Sequence, residues 1–507
     1  MSSVSDTESS DIDETSSNGV ILSAQSQISR QGAPKPVLGE AHRRFVIVTT
    51  LLHLIDPVRG EATTHSLDRH PHDDSWKYQQ LQKKFLDSFA LAASTSRKGR
   101  ESASAVCLEE GRPGGNVLRL ARNIGVPEEL LSKLQEILDD LTAVSLKVQN
   151  TDLGNQWIEK KAKDMEAEIL LKVITLTTDK IWFLLERLRS SDAPKSINLV
   201  LDLMKDKDLA IHDNDEANFR TWILHLPSLV SLSPGTSPAQ LIQHVKWASQ
   251  ARWVYSEQLE DFFGSESGQL PNWLKHIYKL GRYYAATKAM LKLAIKQPAV
   301  FTGIHVRAVE APGEVEFSLG NQKTPLMEVL KKIIKTDPDK VKETLGQAWL
   351  TQDPETRLRR ACRMKLTVHA EMQLISFYDH NPELTPRLLF MGTSKKACYL
   401  CNEFMSRHPL TIGVSASHQK LYPTWMPAPC SSAVRKKHKV LLWEFSRHLE
   451  QTTARDLETR LGVRRPITLD STAGPSLTTT ATVSTGLWIQ ELPLHGGIER
   501  GGAAIQE

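Results

Sequence analysis

Residues 365–425 read KLTVHAEMQLISFYDHNPELTPRLLFMGTSKKACYLCNEFMSRHPLTIGVSASHQKLYPTW, and two short patterns inside them organise the reading of the whole chain. The first is His369-Ala370-Glu371; the second is Cys398-Tyr399-Leu400-Cys401. One imidazole and two thiolates make a donor set that suits zinc, whose reactive sites keep three protein ligands and leave a fourth position to water. Glu371, two residues past the histidine, is free to move protons there. Cysteines at i and i+3 share the first turn of a helix, where the positive end of the helix dipole favours their thiolate forms. His369 and Glu371 would diverge inside a helix, so their motif has to straddle a helix start. Between the motifs, Arg387–Met391 is expected to form a short buried strand and Gly392–Ser394 the turn after it. A C-x-x-C also serves as a redox pair or as half of a structural zinc knot, and a His–Glu pair is common on solvated surfaces.

H-x-E followed by C-x-x-C is the signature of zinc nucleobase deaminases. On these residues the stretch of about 300–430 resembles the cytidine deaminase-like superfamily, and within it the Orientia-type deaminase-like family that is expanded in fungi. The resemblance implies an α/β/α sandwich with a mixed sheet and zinc held between the starts of two helices. It puts His369, Cys398 and Cys401 at the ligand positions and Glu371 at that of the proton shuttle. Two departures stand out. Ala397 occupies the place where most deaminases have proline before the first cysteine, and no fifth strand is legible after Trp425.

Upstream of the motifs the period changes at Phe301. Ile304, Val306 and Ala308 alternate, and after Ala311-Pro312-Gly313 so do Val315, Phe317 and Leu319, the pattern of a hairpin like the one that opens a deaminase sheet. Thr324-Pro325 then starts a helix bearing Leu326, Val329, Leu330 and Ile333, so 323–360 reads as a helical insertion. Arg357, Arg359, Arg360, Arg363 and Lys365 bring positive charge just ahead of the site, with Arg363 the candidate phosphate contact. A helix end favoured by its dipole accounts for the same residues. Downstream, His418, Lys420, Tyr422 and Trp425 follow a strand expected at Thr411–Ala416. Such groups bond or stack a base removed from its partners, though the two aromatics fit a core equally well.

From about Glu40 to Pro298 the period is helical. Pro127 leads Leu130, Leu134, Ile137 and Leu141; Lys160–Ser190 carries Ile169, Val173 and Leu184; Ser237-Pro238 caps a third helix that runs to Gly264; Trp273–Lys296 ends before Pro298. After Pro429 a last helix spans about Val434–Arg460, and its Arg435–Lys439 cluster reads as a nuclear address, a nucleic-acid patch or a solvated face. The acidic, serine-rich leader 1–37 has too few apolar side chains to offset the entropy of ordering it, and the Thr-, Ser- and Gly-rich tail 466–507, with Trp488-Ile489 in it, reads as loose.

The chain has 507 residues, 40% of them apolar, enough for a large core and more than one domain. A net charge of +4 announces no global field for nucleic acid. Five cysteines, three of them scattered, form no extracellular disulfide framework, and no apolar run is long enough to span a bilayer. An intracellular protein, cytoplasmic or nuclear, is expected, with no membrane partner.

The fold class expected is α+β: a leader (1–37), an all-helical region (38–299), a zinc deaminase-like α/β/α domain (300–430), a C-terminal helix (431–465) and a tail (466–507). The expected function is that of a zinc-dependent hydrolase that deaminates a nucleobase in a nucleoside, nucleotide or nucleic acid. One alternative is a non-catalytic deaminase fold with structural zinc, its helical region a scaffold for a protein partner. The other is a helical interaction protein with a redox-active C-x-x-C.

Overall fold

The computed structural model describes residues 39–63, 74–149, 155–189, 214–264 and 270–462, with scattered positions between 195 and 202. The leader 1–37 and the tail 466–507, including Trp488-Ile489, lie outside the described residues. The architecture is α+β, with a helical N-terminal region and mixed sheets. The strands among the described residues are β1 (Ser104–Glu109), β2 (Val117–Arg122), β3 (His305–Ala308), β4 (Val315–Phe317), β5 (Met364–Val368), β6 (Phe390–Thr393), β7 (Gly413–Val414) and β8 (Trp425–Met426). Five of them form a sheet in the order β3–β2–β1–β6–β7, and β4–β5–β8 form a second.

Side chains of a strand alternate between faces, and in β1 this alternation separates two cores. Val106 and Leu108 join Phe85, Leu134, Ile174, Leu274 and Met290 under the helices Asp74–Ala92, Glu128–Gln149, Asn155–Arg189 and Asn272–Lys296. Ala105 and Cys107 join Phe45, Tyr378, Leu400, Trp425 and Phe445 on the other side. The five-stranded sheet is therefore covered on both faces, which is what parallel and mixed sheets require.

The helix starts follow their sequence signals. Ser237 and Gln240 form a reciprocal capping box at the head of Pro238–Trp253. That helix stops at Trp253 and a separate one, Ser256–Phe263, carries on to Gly264, where one continuous helix was expected. Gly281 lets Asn272–Lys296 lie directly on Pro238–Trp253, since a Cβ there would sit 2.6 Å from the Ala248 carbonyl oxygen.

Two expectations are corrected. The region 38–299 is not all helical, because β1 and β2 lie within it and supply the middle of the main sheet. All their residues are buried, so the sequence shows no alternation of apolar and polar positions. The charged residues that disguise them are partners: Arg119 donates to Glu109 at 2.9 and 3.1 Å, and Tyr378 donates to the same carboxylate at 3.2 Å. The hairpin expected over 304–319 does not form. β3 pairs parallel with β2 and β4 pairs antiparallel with β5, while the antiparallel pair next to β6 is β1–β2. The backbone decides this, since Gly115 and Gly303 approach too closely for any Cβ at Gly115, which would meet Gly303 O at 2.1 Å.

Strand β6 packs backbone to backbone against the Asp74–Ala92 helix. A Cβ at Gly392 would lie 2.2 Å from the Leu86 carbonyl carbon. Asp87 of the same helix accepts from the Thr393 N–H at 2.8 Å and from the Ser415 hydroxyl. Gly392→Ala therefore has to push helix and strand apart. It should cost about 1–3 kcal/mol in a urea unfolding titration, the usual range for overpacking; a change near zero would mean that β6 does not pack this tightly.

Candidate functional site

Strand β5 ends at Val368 and delivers His369 to the N-cap of the helix Ala370–His380. At that position the backbone is still extended, with φ −68° and ψ 151°, so His369 and Glu371 leave the chain on either side of the helix start. The start is held from the sheet. Asn123, just past β2, accepts from the Ala370 N–H at 2.9 Å, and Gln373 Nε2 donates to Arg122 O at 2.9 Å and to Val368 O at 3.0 Å. Neither Asn123 nor Gln373 carries a sequence signal for this role, because Ala370 lies more than a hundred residues from Asn123 and Arg122 as far from Gln373.

Cys398 is the N-cap of the second helix, Tyr399–Arg407, and its sulfur accepts from the Cys401 N–H at 3.4 Å. His369 Nδ1 lies 3.6 Å from Cys398 Sγ and 3.4 Å from Cys401 Sγ. The three donors are close enough together to hold a metal ion. Ala397 earns its place here: its N–H donates to Ala416 O at 2.9 Å, a bond that the proline of most deaminases would lack. None of the five cysteines is in a disulfide.

The electrostatics are those of a buried, coupled group. Burial disfavours the Cys398 thiolate, but hydrogen bonds from Cys401 and the charge of His369 outweigh it and draw its pKa well below the ordinary thiol value. Burial and the neighbouring Cys398 charge push Cys401 the other way. Burial also raises the Glu371 carboxyl, against the pull of His369. A carboxyl held nearer neutrality exchanges its proton more readily around pH 7.

The expected substrate contacts divide. His418, Tyr422 and His369 come together: Tyr422 is 38% exposed, and its ring stands 6.2 Å from that of His369 and 5.7 Å from that of His418. His418 Nδ1 accepts from the Lys420 N–H at 3.0 Å, which leaves its proton on Nε2. Burial, then Lys420 and Lys395, lower its pKa to about 3, so it is neutral at pH 7. Lys420 is half-buried, and its charge lowers the pKa of both His418 and Lys395.

Trp425 and Arg363 are placed elsewhere. Trp425 is fully buried in β8, with ring centroids 5.3 Å from Phe45 and 5.9 Å from Phe404. It has no face to offer a base; its indole N–H favours the Cys401 thiolate without reaching hydrogen-bond geometry. β8 pairs parallel with β5 at Thr367–Trp425 and Val368–Met426, so the strand sought after Trp425 begins at it. Arg363 is exposed at the far end of β5 from His369. Six residues of extended chain put about 20 Å between them.

A second group gathers at the other ends of the site helices. Asp379 Oδ2 accepts from His408 Nε2 at 2.9 Å and His438 Nε2 at 2.7 Å, and Oδ1 accepts from Lys437 Nζ at 2.5 Å. These three acid and imidazole groups also lie within metal-binding reach of one another. The separations are those of hydrogen bonds, however, and His408 Nδ1 accepts from the Leu410 N–H, which commits its Nε2 to carrying a proton. Asp379 thus ties the far ends of both site helices to the C-terminal helix Ser432–Thr459.

No helix among the described residues is long and apolar enough to cross a membrane. No curated protein and no solved structure matches the chain. Residues 368–429 match the family model described as OTT_1508_deam-like deaminase. Over that segment, which holds His369, Glu371, Cys398 and Cys401, the chain is similar to a deaminase-like family.

Proposed function

We propose that the protein is a zinc-dependent hydrolase that removes the amine from a nucleobase carried by a nucleoside, nucleotide or nucleic acid. The observation that carries this reading is a His–Cys–Cys donor set with a buried carboxylate, Glu371, two residues from the histidine. The separations of 3.4 and 3.6 Å between His369 Nδ1 and the two sulfurs suit zinc. Bonds of about 2.0–2.1 Å to nitrogen and 2.3 Å to sulfur in a tetrahedron put such donors about 3.5 Å apart. The donor set, one imidazole and two thiolates, is also one that zinc prefers over calcium or magnesium.

When bound, zinc supplies a polarised water as nucleophile at the position its three protein ligands leave open. Two thiolates offset the charge of the dication, so that water is less acidified than at an all-histidine site, and a base is needed beside it. Glu371 would take one proton from the attacking water and pass it to the ring nitrogen of the amidine, then take the second proton from the added hydroxyl and give it to the departing amine. Ammonia leaves and a carbonyl remains on the ring. His418, neutral, keeps a donor on Nε2, and the half-exposed Tyr422 ring stands ready to pack on the base.

The purified chain should contain one zinc per molecule by elemental analysis, and Cys401→Ser should lose most of it. Full zinc retention in that variant would remove Cys401 from the ligand set. Ammonia release across a panel of bases, nucleosides and oligonucleotides then separates an enzyme from a scaffold with structural zinc.

A further inference from the structure

Four cations from distant parts of the chain gather around one of them, Lys395, which itself lies beside the donor set. Lys395 lies on the loop between β6 and the Tyr399–Arg407 helix, three residues before Cys398, and donates to Gly99 O at 2.8 Å. Lys180, on the Asn155–Arg189 helix, donates to Ser94 Oγ at 2.6 Å and Ser94 O at 3.1 Å. Ser94 lies in the loop that leads to the short helix Gly99–Ser102, whose first residue is Gly99, so both ammonium groups rest on the same support, and on neutral oxygens. Arg122, the last residue of β2, is only 5% exposed, and its Nε is buried without a hydrogen-bond partner. Lys279, on the Asn272–Lys296 helix, adds its charge to both lysines.

Burial, then the charges of Lys395, Arg122 and Lys279, lower Lys180 to about 7. Burial and Lys279 lower Lys395 to about 8. Glu101 and Glu371 reach the group. Glu101 acts on Arg122 and is itself engaged by Lys98 at 3.2 Å and Ser96 at 3.2 Å. Glu371 acts on Lys395, which places that lysine next to the reacting end of the site. Partly buried like charges repel one another and are poorly hydrated, so an anion among them is favoured.

We propose that Arg122, Lys180 and Lys395, with Lys279, form a phosphate-binding pocket beside Glu371, so that the base to be deaminated arrives on a phosphorylated substrate. The base rests on the deaminase reading above; the phosphate rests on the cation cluster. A guanidinium presents a fork to phosphate oxygens and ammonium groups act as point charges. Lys180 and Lys279 belong to the helical region, which thereby takes part in recognising the substrate. A free nucleotide and a strand of nucleic acid share this chemistry, and the titrants tell them apart.

The test is calorimetry on the metal-loaded full chain, with the four common nucleosides, their 5′-monophosphates and a short single-stranded oligonucleotide, each paired with an ammonia assay. At low salt a phosphorylated titrant should bind at least about tenfold more tightly than its nucleoside. A gain with the monophosphate identifies a free nucleotide, and a gain with the oligonucleotide alone identifies a nucleic acid. Lys180→Gln and Lys395→Gln should each remove most of the gain, whereas Lys395→Arg should keep it. Equal affinity with and without phosphate, no binding of any phosphorylated titrant, or a gain that survives both glutamine substitutions overturns the pocket. Ammonia release from a plain nucleoside would then leave the deaminase reading standing. Phosphate-dependent binding with no ammonia from any titrant supports the pocket and sinks the deaminase reading.

Discussion

Glu371→Gln should slow ammonia release about 10²–10⁴-fold, the contribution of a positioned acid–base group, while zinc content and melting temperature stay nearly unchanged. Glutamine keeps the shape of glutamate and can still hydrogen-bond, but it cannot accept and return a proton. Glu371 is buried at the first turn of the Ala370–His380 helix, where burial raises its carboxyl pKa. The isosteric amide removes a charge that burial penalises, so the fold has little to lose. A structural glutamate would behave in the opposite way, losing stability first and activity only as a consequence. Steady-state rates on whichever substrate releases ammonia, with elemental analysis and a thermal melt on the same samples, decide the matter. A variant as fast as wild type would end the proposed proton route.

Asp379→Asn should cost about 3–5 kcal/mol of stability at pH 7, because removing the buried carboxylate strands the buried His408 and His438. Burial alone would raise the Asp379 carboxyl, but hydrogen bonds from His408, His438 and Lys437 outweigh it and hold its pKa well below the usual carboxylate range. An amide can accept on one oxygen only, and its NH₂ would face one of the three donors. The sign of the pH dependence follows from a depressed folded-state pKa. The stabilisation is fully present above the unfolded value of about 3.9 and is lost as the pH falls from there toward the folded value. The gap between wild type and variant in urea titrations should therefore be widest near neutrality and narrow below about pH 4. A gap that is constant across that range would show that the Asp379 charge is not what binds the helices together. Because Asp379 ties down the helices that present His369 and the cysteines, the variant is also expected to bind metal more weakly.

The donor set of the site was legible in the sequence because its motifs are local. H-x-E and C-x-x-C state which donors are present, and the turn residues and helix periods around them place His369 at one helix start and Cys398 at another. The same holds for the helices at Glu128–Gln149, Asn272–Lys296 and Ser432–Thr459, whose apolar spacing and caps are properties of a few neighbouring residues. Residues whose role depends on distant partners were misread or missed. Arg119 and Glu109 look like surface charges until β1 and β2 pair and bury them together. Trp425 could be assigned to base or core only by the packing of Phe45 and Phe404 around it. Arg363 was near the motif in sequence, yet an extended strand carries it away from the site, while Lys180 and Arg122 were remote in sequence and are brought within reach of Lys395. Short-range periodicity and side-chain chemistry determine which elements form and which donors they carry. Pairing across hundreds of residues determines which charges meet, and that is settled only when the backbone hydrogen bonds and the two cores are made together.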